Sequence, residues 1–195
     1  TRFDLAILHD PNEELAPSNS KALRRFRAAA AELGFAVEMI QREDYPRIAE
    51  FDALFIRETT VVNHHTFRFA QRAESEGLVV VDDPQSIVRC SNKVFQSEAL
   101  GLNRVPTPRT LIADEIDVER IEREIGIPCV LKSPDSAFSL GVKKCTDAEE
   151  LRVHGESMLA DSDLVVVQEY IPTDFDWRVG VFAGQALYAC RYHMA

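Results

Sequence analysis

The chain has 195 residues, of which 46% are hydrophobic, and this is enough for one large domain or two small ones with their own cores. Its formal net charge of −10 argues against a nucleic-acid partner, which would need a basic face. No apolar run is long enough to span a bilayer and no secretory signal pattern is present, so membrane contact is not expected. The four cysteines show no C-x-x-C spacing. They therefore indicate a cytoplasmic protein without disulfides or structural zinc.

The first part of the chain alternates short apolar strands with amphipathic helices. Strands are predicted over residues 3–8, 36–40, 53–56 and 78–81, and helices over 20–33 and 65–76. This alternation predicts an N-terminal α/β domain with a parallel sheet, which we assign to residues 1–88. A longer helix is predicted over 84–100, broken at Gly101.

The second part begins after Pro106 and Pro108, which exclude a helix and mark a boundary. Over residues 109–170 the pattern predicts strand, helix, strand, loop, strand, helix and strand, which is a small α+β unit. Two more strands over 176–192 are joined by a tight turn at 183–185. We expect a subdomain over 89–172 and the start of another over 173–195, so the chain is read as a piece of a longer protein.

Residues 127–142 read IPCVLKSPDSAFSLGV and form the most informative stretch. A short strand ends at Lys132, small and polar residues fill 133–141, and Val142 reopens a strand. A lysine beside a flexible loop suits a polyphosphate, because the ammonium is a compact charge and loop N–H groups can close on phosphate oxygens. The alternative is an exposed hairpin with a surface lysine.

Four motifs follow one another in a fixed order: S-N-K ending at Lys93, V-L-K ending at Lys132, V-V-Q-E-Y-I ending at Ile171, and D-W-R ending at Arg178. This order resembles the ATP-grasp superfamily, and most closely its RimK-like and glutathione-synthetase-like carboxylate–amine ligases. The resemblance is loose up to residue 85 and specific from 91 to 191. It implies a pre-ATP-grasp α/β domain, an ATP-grasp lid subdomain and the first strands of a truncated central domain.

The resemblance also implies which residues bind the nucleotide. Two lysines would contact its phosphates, a mobile loop would close over them, a backbone hinge would read adenine, and an acid, with Asp174 as a nearby substitute, would lie near the ribose. The expected ATP-binding residues are Lys93, Lys132, Ser133, Ser136, Ser139, Gly141, Gln168, Glu169, Tyr170, Ile171 and Asp176. We expect Lys132 to lie beside Glu169 and the backbone of Ile171.

Catalysis in this family would use arginines and magnesium. Arg178 and Arg191 match arginines that face the γ-phosphate and the acyl-phosphate. The resemblance places the Mg²⁺ ligands of the full-length parent beyond residue 195, so we expect residues 1–195 to bind ATP weakly and to be inactive alone. Gly141 is the one glycine of the phosphate loop, where relatives often have more, which implies a stiffer closure.

The implied reaction joins a small-molecule or peptide carboxylate to an amine through an acyl-phosphate, and a homo-oligomer is left open. The alternative is a nucleotide-binding or structural module without catalysis.

His9 and Arg57 follow predicted strands one and three. Ligands of α/β sheets bind at the carboxyl ends of strands, so these two are candidate substrate-binding residues. For Arg57 the alternative is a salt bridge to Glu58 or a nearby helix. No histidine pair has metal-ligand spacing, so no metal site is predicted, and His64–His65 is read as solvated or as the start of a helix.

Overall fold

Two units, each with its own hydrophobic core, make up the part of the chain that the structure describes. The structure is a computed structural model, and it describes residues 3–135 and 141–193. Within these residues the first unit covers 3–104 with 134–135, and the second covers 105–133 with 141–193. The expected subdivision into 1–88, 89–172 and 173–195 concerns subdomains and stays a prediction.

The first unit is built on a parallel sheet, as predicted. Its strands are β1 (Asp4–Leu8), β2 (Ala36–Ile40), β3 (Ala53–Ile56) and β4 (Val79–Val81), in the order β2-β1-β3-β4. Because β1 lies between β2 and β3, the connections run to opposite sides of it, and the carboxyl ends of β1 and β3 form the switch point where α/β sheets bind ligands.

Helices connect the strands and follow them. They are α1 (Ser20–Glu32), a 3₁₀ helix over Arg42–Glu50 that the sequence pattern did not predict, α2 (His65–Ser75), α3 (Pro84–Ser91) and α4 (Lys93–Leu102). The 3₁₀ helix, α2 and α3 contribute side chains to the core. Leu8, Ile40 and Leu54 of the strands pack with Phe69 of α2 and Ile87 of α3.

The predicted single helix over 84–100 is wrong, because two helices occupy this stretch. The break lies at Asn92, whose side-chain oxygen accepts a 3.0 Å hydrogen bond from Phe95 N and so begins α4. Asparagine is a preferred N-cap, since its short side chain satisfies a free helix N–H. Gly101 lies inside α4 and does not end it.

The second unit contains the predicted α+β arrangement. Its elements are β5 (Thr110–Ala113), α5 (Val118–Glu124), β6 (Cys129–Lys132), β7 (Val142–Cys145), α6 (Ala148–Leu159) and β8 (Val165–Glu169), and the sheet is antiparallel in the order β5-β8-β6-β7. One face is buried, since Leu131 and Val167 of the sheet share a core with Ile121 of α5 and Leu151 of α6. Side chains alternate along a strand, so Lys132 and Gln168 belong to the opposite face.

A long hairpin ends the described chain, as predicted. It consists of β9 (Phe175–Phe182) and β10 (Gln185–His193), which pair in antiparallel fashion. Ala183 and Gly184 form the turn with φ of 49° and 76°, the two left-handed residues that match the twist of a hairpin. Across the described residues, no helix has the length and apolar character needed to cross a lipid bilayer.

Candidate nucleotide-binding and substrate-binding sites

Lys132 is a half-buried cation whose partner is a neutral side chain. Its Nζ donates a 2.7 Å hydrogen bond to Gln168 Oε1, and Gln168 Nε2 donates in turn to Thr110 Oγ1 at 2.9 Å. Burial lowers the pKa of Lys132. Among residues 3–135 and 141–193, no carboxylate lies within ion-pair distance of it. A partly desolvated charge without a counter-ion favours an approaching anion.

The expectation that Lys132 lies beside Glu169 is corrected by the strand register. Lys132 pairs with Val166 and shares a face with Gln168, whereas Glu169 pairs with Cys129 on the other face. The Glu169 carboxylate accepts a hydrogen bond from Arg109 Nε instead, which lowers the pKa of that carboxyl.

The predicted adenine hinge, residues 169–171, has one open backbone donor. Glu169 N donates to Arg109 O at 2.9 Å, and Tyr170 N donates to Pro128 O at 3.4 Å. Ile171 N has no hydrogen-bond partner within the described part of the chain, and its side chain is exposed. A free N–H at this point is what recognition of an adenine ring nitrogen requires, so Ile171 is the hinge residue whose backbone fits the predicted role.

The base of the predicted phosphate loop is closed by a backbone hydrogen bond. Ser133 N donates to Gly141 O at 2.9 Å. Gly141 has φ of 72°, a left-handed conformation that glycine adopts without steric cost. Ser136 and Ser139, and with them the predicted mobility of the loop, lie outside the described residues.

Lys93 is the first residue of α4 and lines a cleft in the first unit. Its backbone N donates to Pro134 O at 2.9 Å. The cleft has a volume of about 310 Å³, and Ser91, Asp82 and Asp135 also line it. Lys93 is therefore part of a concave surface that also carries two carboxylates, while Lys132 belongs to the second unit. Its contact with phosphate stays a prediction.

The hairpin arginines lie on opposite faces. In the β9–β10 register Arg178 pairs with Cys190, and Arg191 pairs with Trp177. Since residues 177 and 178 are consecutive, the two arginines project to different sides of the hairpin. The expected roles of Arg178 and Arg191, toward the γ-phosphate and the acyl-phosphate, stay predictions. Asp176 shares the Arg178 face.

Each hairpin arginine stacks on aromatic rings of its own face. The Arg178 guanidinium lies 4.0 Å from the Tyr192 ring centre, and Arg191 lies 4.8 Å from Phe175 and 5.4 Å from Trp177. Such stacking orients an arginine while its N–H groups stay available.

Arg57 and His9 lie where predicted, at the carboxyl ends of β3 and β1. Arg57 Nε donates to Ser18 Oγ at 2.8 Å, and Nη2 donates to Pro17 O at 3.0 Å. The alternative of an ion pair between Arg57 and Glu58 is wrong, since no carboxylate of the described residues lies within ion-pair distance of Arg57, and the Glu58 carboxyl lies against His65. Arg57 thus ties the loop before α1 to the end of β3, and its role toward substrate stays a prediction.

Sequence reasoning missed a cluster at the loop between β3 and α2. Glu58, His64 and His65 each offer one ligand atom, and these atoms lie within 4.8 Å of one another. His64 is the N-cap residue of α2, and His65 is its first residue, so the reading as the start of a helix is confirmed. Burial raises the pKa of Glu58 to about 7 and lowers the pKa of His65 to about 4.

This cluster does not fit the magnesium that the ATP-grasp resemblance implies. Mg²⁺ prefers an octahedron of oxygen ligands, and two of these three side chains are imidazoles. Within the described residues no other group of three such side chains has ligating geometry.

Comparison with known proteins extends the resemblance. No protein-family model matches the chain. It is 27% identical over 157 residues to the alpha-aminoadipate–LysW ligase LysX of Saccharolobus solfataricus, a match that covers 71% of this chain and 54% of that ligase. The chain spans about half or less of the length of the curated relatives that it matches.

Crystal structures of several proteins share its fold. A RimK-domain ATP-grasp protein from Sphaerobacter thermophilus has a TM-score of 0.71 at 21% identity, covering 90% of this chain and 68% of that one. A D-alanine–D-alanine ligase from Bacillus anthracis, complexed with ATP, has a TM-score of 0.67 at 15% identity, covering all of this chain (100%) and 71% of that one. Lys132, Ile171 and the hairpin arginines thus lie in a fold that these proteins share.

Proposed function

Because the chain has the ATP-grasp fold and the ordered motifs of its RimK-like branch, we propose that it contributes the nucleotide-binding residues of an ATP-dependent carboxylate–amine ligase. In this reaction a carboxylate oxygen attacks the γ-phosphorus of ATP, which gives an acyl-phosphate and ADP. An amine then attacks the acyl carbon, and phosphate leaves as the amide forms. The free cysteines and the ligase relatives support a cytoplasmic enzyme.

The observation that carries the proposal is the environment of Lys132. Lys132 is a half-buried ammonium that is hydrogen-bonded to a neutral carboxamide, so an approaching anion would stabilise its charge. A nucleotide phosphate supplies that anion, and charge neutralisation together with positioning is most of what phosphoryl transfer needs. The ATP-grasp resemblance implies that Lys93, the backbone of Ile171 and the hairpin arginines Arg178 and Arg191 also contact the nucleotide.

The substrates are proposed by class. A small-molecule or peptide carboxylate and an amine would bind at the switch point of the first sheet, near His9 and Arg57. The guanidinium of Arg57 can hold a carboxylate bidentately with the donors that Ser18 and Pro17 do not use.

Calorimetric titration with ATP tests the role of Lys132. Lys132→Ala should weaken ATP binding at least about tenfold, or about 1.4 kcal/mol, because it removes a desolvated cation from the phosphate. Lys143→Ala is the matched control, since Lys143 belongs to the adjoining strand β7, is exposed, and pairs with Leu131 on the other face. Equal weakening in both variants, or none in Lys132→Ala with its melting temperature retained, would contradict the proposal.

A further inference from the structure

The loop between β3 and α2 carries a side-chain cluster that the proposed ligase reaction does not use. One residue, Arg57, separates Glu58 from the end of β3. His64 is the N-cap of α2, and His65 is its first residue. Glu58 is 4% exposed, and the His65 side chain is 16% exposed. The strand end and the helix start therefore bury the Glu58 carboxyl and most of the His65 imidazole, and His64 beside them is partly exposed.

The hydrogen bonds around His64 fix which of its nitrogens is free. Thr66 Oγ1 donates its proton to Thr59 O at 3.2 Å. His64 Nδ1 lies 3.0 Å from the same Oγ1; when the hydroxyl proton is used in the bond to Thr59 O, Nδ1 must carry the hydrogen and donate it. His64 Nε2 is then the unprotonated nitrogen. Proteins orient metal-binding imidazoles in this way, by holding the N–H of the other ring nitrogen.

Two buried atoms beside this loop lack hydrogen bonds within the described residues. His65 Nε2 lies 2.6 Å from Glu58 Oε2 without the geometry of a hydrogen bond, and it has no other partner. Glu13 is held through Oε1, which accepts from Thr59 N at 3.0 Å, while its buried Oε2 has no partner. Buried polar atoms without partners are rare in folded proteins, and here a nitrogen and an oxygen occur around one loop.

We propose that Glu58, His64 and His65 bind one divalent transition-metal ion, and that Zn²⁺ is the ion that this donor set fits. Two imidazole nitrogens and one carboxylate oxygen form a set that zinc accepts in proteins, whereas magnesium and calcium prefer oxygen alone. Zinc bonds of about 2.0–2.2 Å place the ligand atoms of a tetrahedral ion about 3.3–3.6 Å apart, so small side-chain rotations suffice. Three protein ligands leave a fourth position for water or an added ligand.

The local charges also favour a cation. The N-terminus of α2 carries a partial positive charge that opposes a cation, but this effect is weak and limited to the first turn. Glu58 and Glu13 supply two carboxylates, one of them inside the cluster. A metal here would join the end of β3 to the start of α2 and fix the loop that follows Arg57.

Zinc binding is measured on the chelator-stripped protein by calorimetry and by metal analysis after dialysis. A Cys90→Ser, Cys190→Ser background removes the exposed thiols, which would otherwise bind zinc themselves. We expect one Zn²⁺ per chain, and a loss of at least about tenfold in affinity for Glu58→Gln, His64→Gln and His65→Gln. Thr66→Val should weaken binding by about tenfold or more, because it removes the acceptor that fixes the His64 tautomer.

His154→Gln and His193→Gln are the matched controls and should bind zinc as the background protein does. The proposal is overturned if no stoichiometric zinc binds, if binding survives the three ligand variants, or if a control loses it equally. Where a ligand variant fails to fold, imidazole NMR of the background protein decides. Zinc must shift the ring signals of His64 and His65, and shifts confined to other histidines overturn the site. No nucleotide is present, so failure here leaves the proposed ligase function standing.

Discussion

Burial, more than the number of charged neighbours, decides what the ionisable side chains of this chain can do. Arg47 forms ion pairs with Glu38, Asp44 and Glu50, but its side chain is 39% exposed, and ion pairs in water contribute little to stability. Lys132 has a neutral partner in Gln168 and is half-buried, so its charge is much more sensitive to an arriving anion.

Substitution of Arg57 tests whether substrate binds at the switch point of the first sheet. In the proposed full-length ligase, Arg57→Lys should raise KM for the carboxylate or acceptor at least about tenfold, about 1.4 kcal/mol, and leave KM for ATP nearly unchanged. A lysine has no planar fork and cannot keep the bonds to Ser18 and Pro17 while gripping a carboxylate. Steady-state kinetics with each substrate varied separately measures the effect. Equal effects on both substrates, or loss of folding, would assign Arg57 a structural role.

The buried cysteines predict a dependence on pH. Cys129 and Cys145 oppose each other in the β6–β7 register, and burial raises the pKa of both, that of Cys145 from its ordinary 9.0 to about 12. Because the folded pKa lies above the unfolded one, the contribution to stability is complete below pH 9 and is lost as the pH rises toward 12. Urea midpoints of the second unit should therefore fall over this range.

The same burial predicts which thiols react. The thiolate is the reactive form, so at pH 8 Ellman's reagent should modify the exposed Cys90 and Cys190 quickly and the buried pair only after unfolding. Full reaction of all four thiols in urea is the control. Four equal rates in the native protein would contradict the burial of β6 and β7.

At the scale of secondary-structure elements, short polar side chains set where most helices begin. The N-cap side chain accepts a backbone N–H at the start of α1, α3, α4, α5 and α6, and these residues are Asn19, Asp83, Asn92, Asp117 and Asp147. Helix α2 differs, because its N-cap residue, His64, makes no capping bond and contacts Thr66. The exception coincides with the proposed metal site.

Two helical glycines should respond in opposite ways to alanine. A Cβ at Gly155 in α6 would lie 2.4 Å from Ile116 Cδ1 and 2.6 Å from Cγ1, whereas one at Gly101 in α4 would meet nothing within 4 Å. Gly101→Ala should therefore stabilise the first unit by about 0.5–1 kcal/mol through helix propensity. Gly155→Ala should destabilise the second unit by about 1–3 kcal/mol through overpacking. Urea unfolding measures both, and stabilisation by both variants would show that Ile116 moves aside freely.

At the scale of the whole molecule, the chain holds two hydrophobic cores that share no residue. Phe69 is central to the first, and Leu151 to the second, and each is almost fully buried. Chains with separate cores commonly depart from a single all-or-none unfolding transition. We therefore expect the two units to report different stabilities.

Core truncations should separate these stabilities. Phe69→Ala should cost about 3–5 kcal/mol and Leu151→Ala about 2–5 kcal/mol, each in its own unit, because each removes buried contacts and leaves a cavity. Hydrogen exchange read by mass spectrometry assigns the loss of protection to peptides of one unit. The two variants serve as controls for each other. A loss of protection spread evenly over both units would indicate one cooperative unfolding unit.

The local sequence was enough to predict most of the elements and the type of each sheet. Strands at 36–40 and 53–56 coincide with β2 and β3, and the hairpin turn at residues 183–184 is confirmed. Hydrophobic periodicity, glycine stops and turn residues act over a few positions, so they are readable without the fold. The order of motifs from Lys93 to Arg178 was likewise enough to identify the ATP-grasp resemblance that the fold supports.

Only the tertiary structure decided which of these residues can act together. The strand register separated Lys132 from Glu169 and Arg178 from Arg191, because a one-residue difference in pairing reverses the face of every side chain. The tertiary structure also places Glu58 in contact with His65, and it orients the His64 ring through the contact with Thr66. Strand β3 and helix α2 are separate elements, and the distance between their ends depends on long-range packing that periodicity does not encode. For that reason the sequence predicted a phosphate-binding role for Lys132 but did not reveal the proposed zinc ligands.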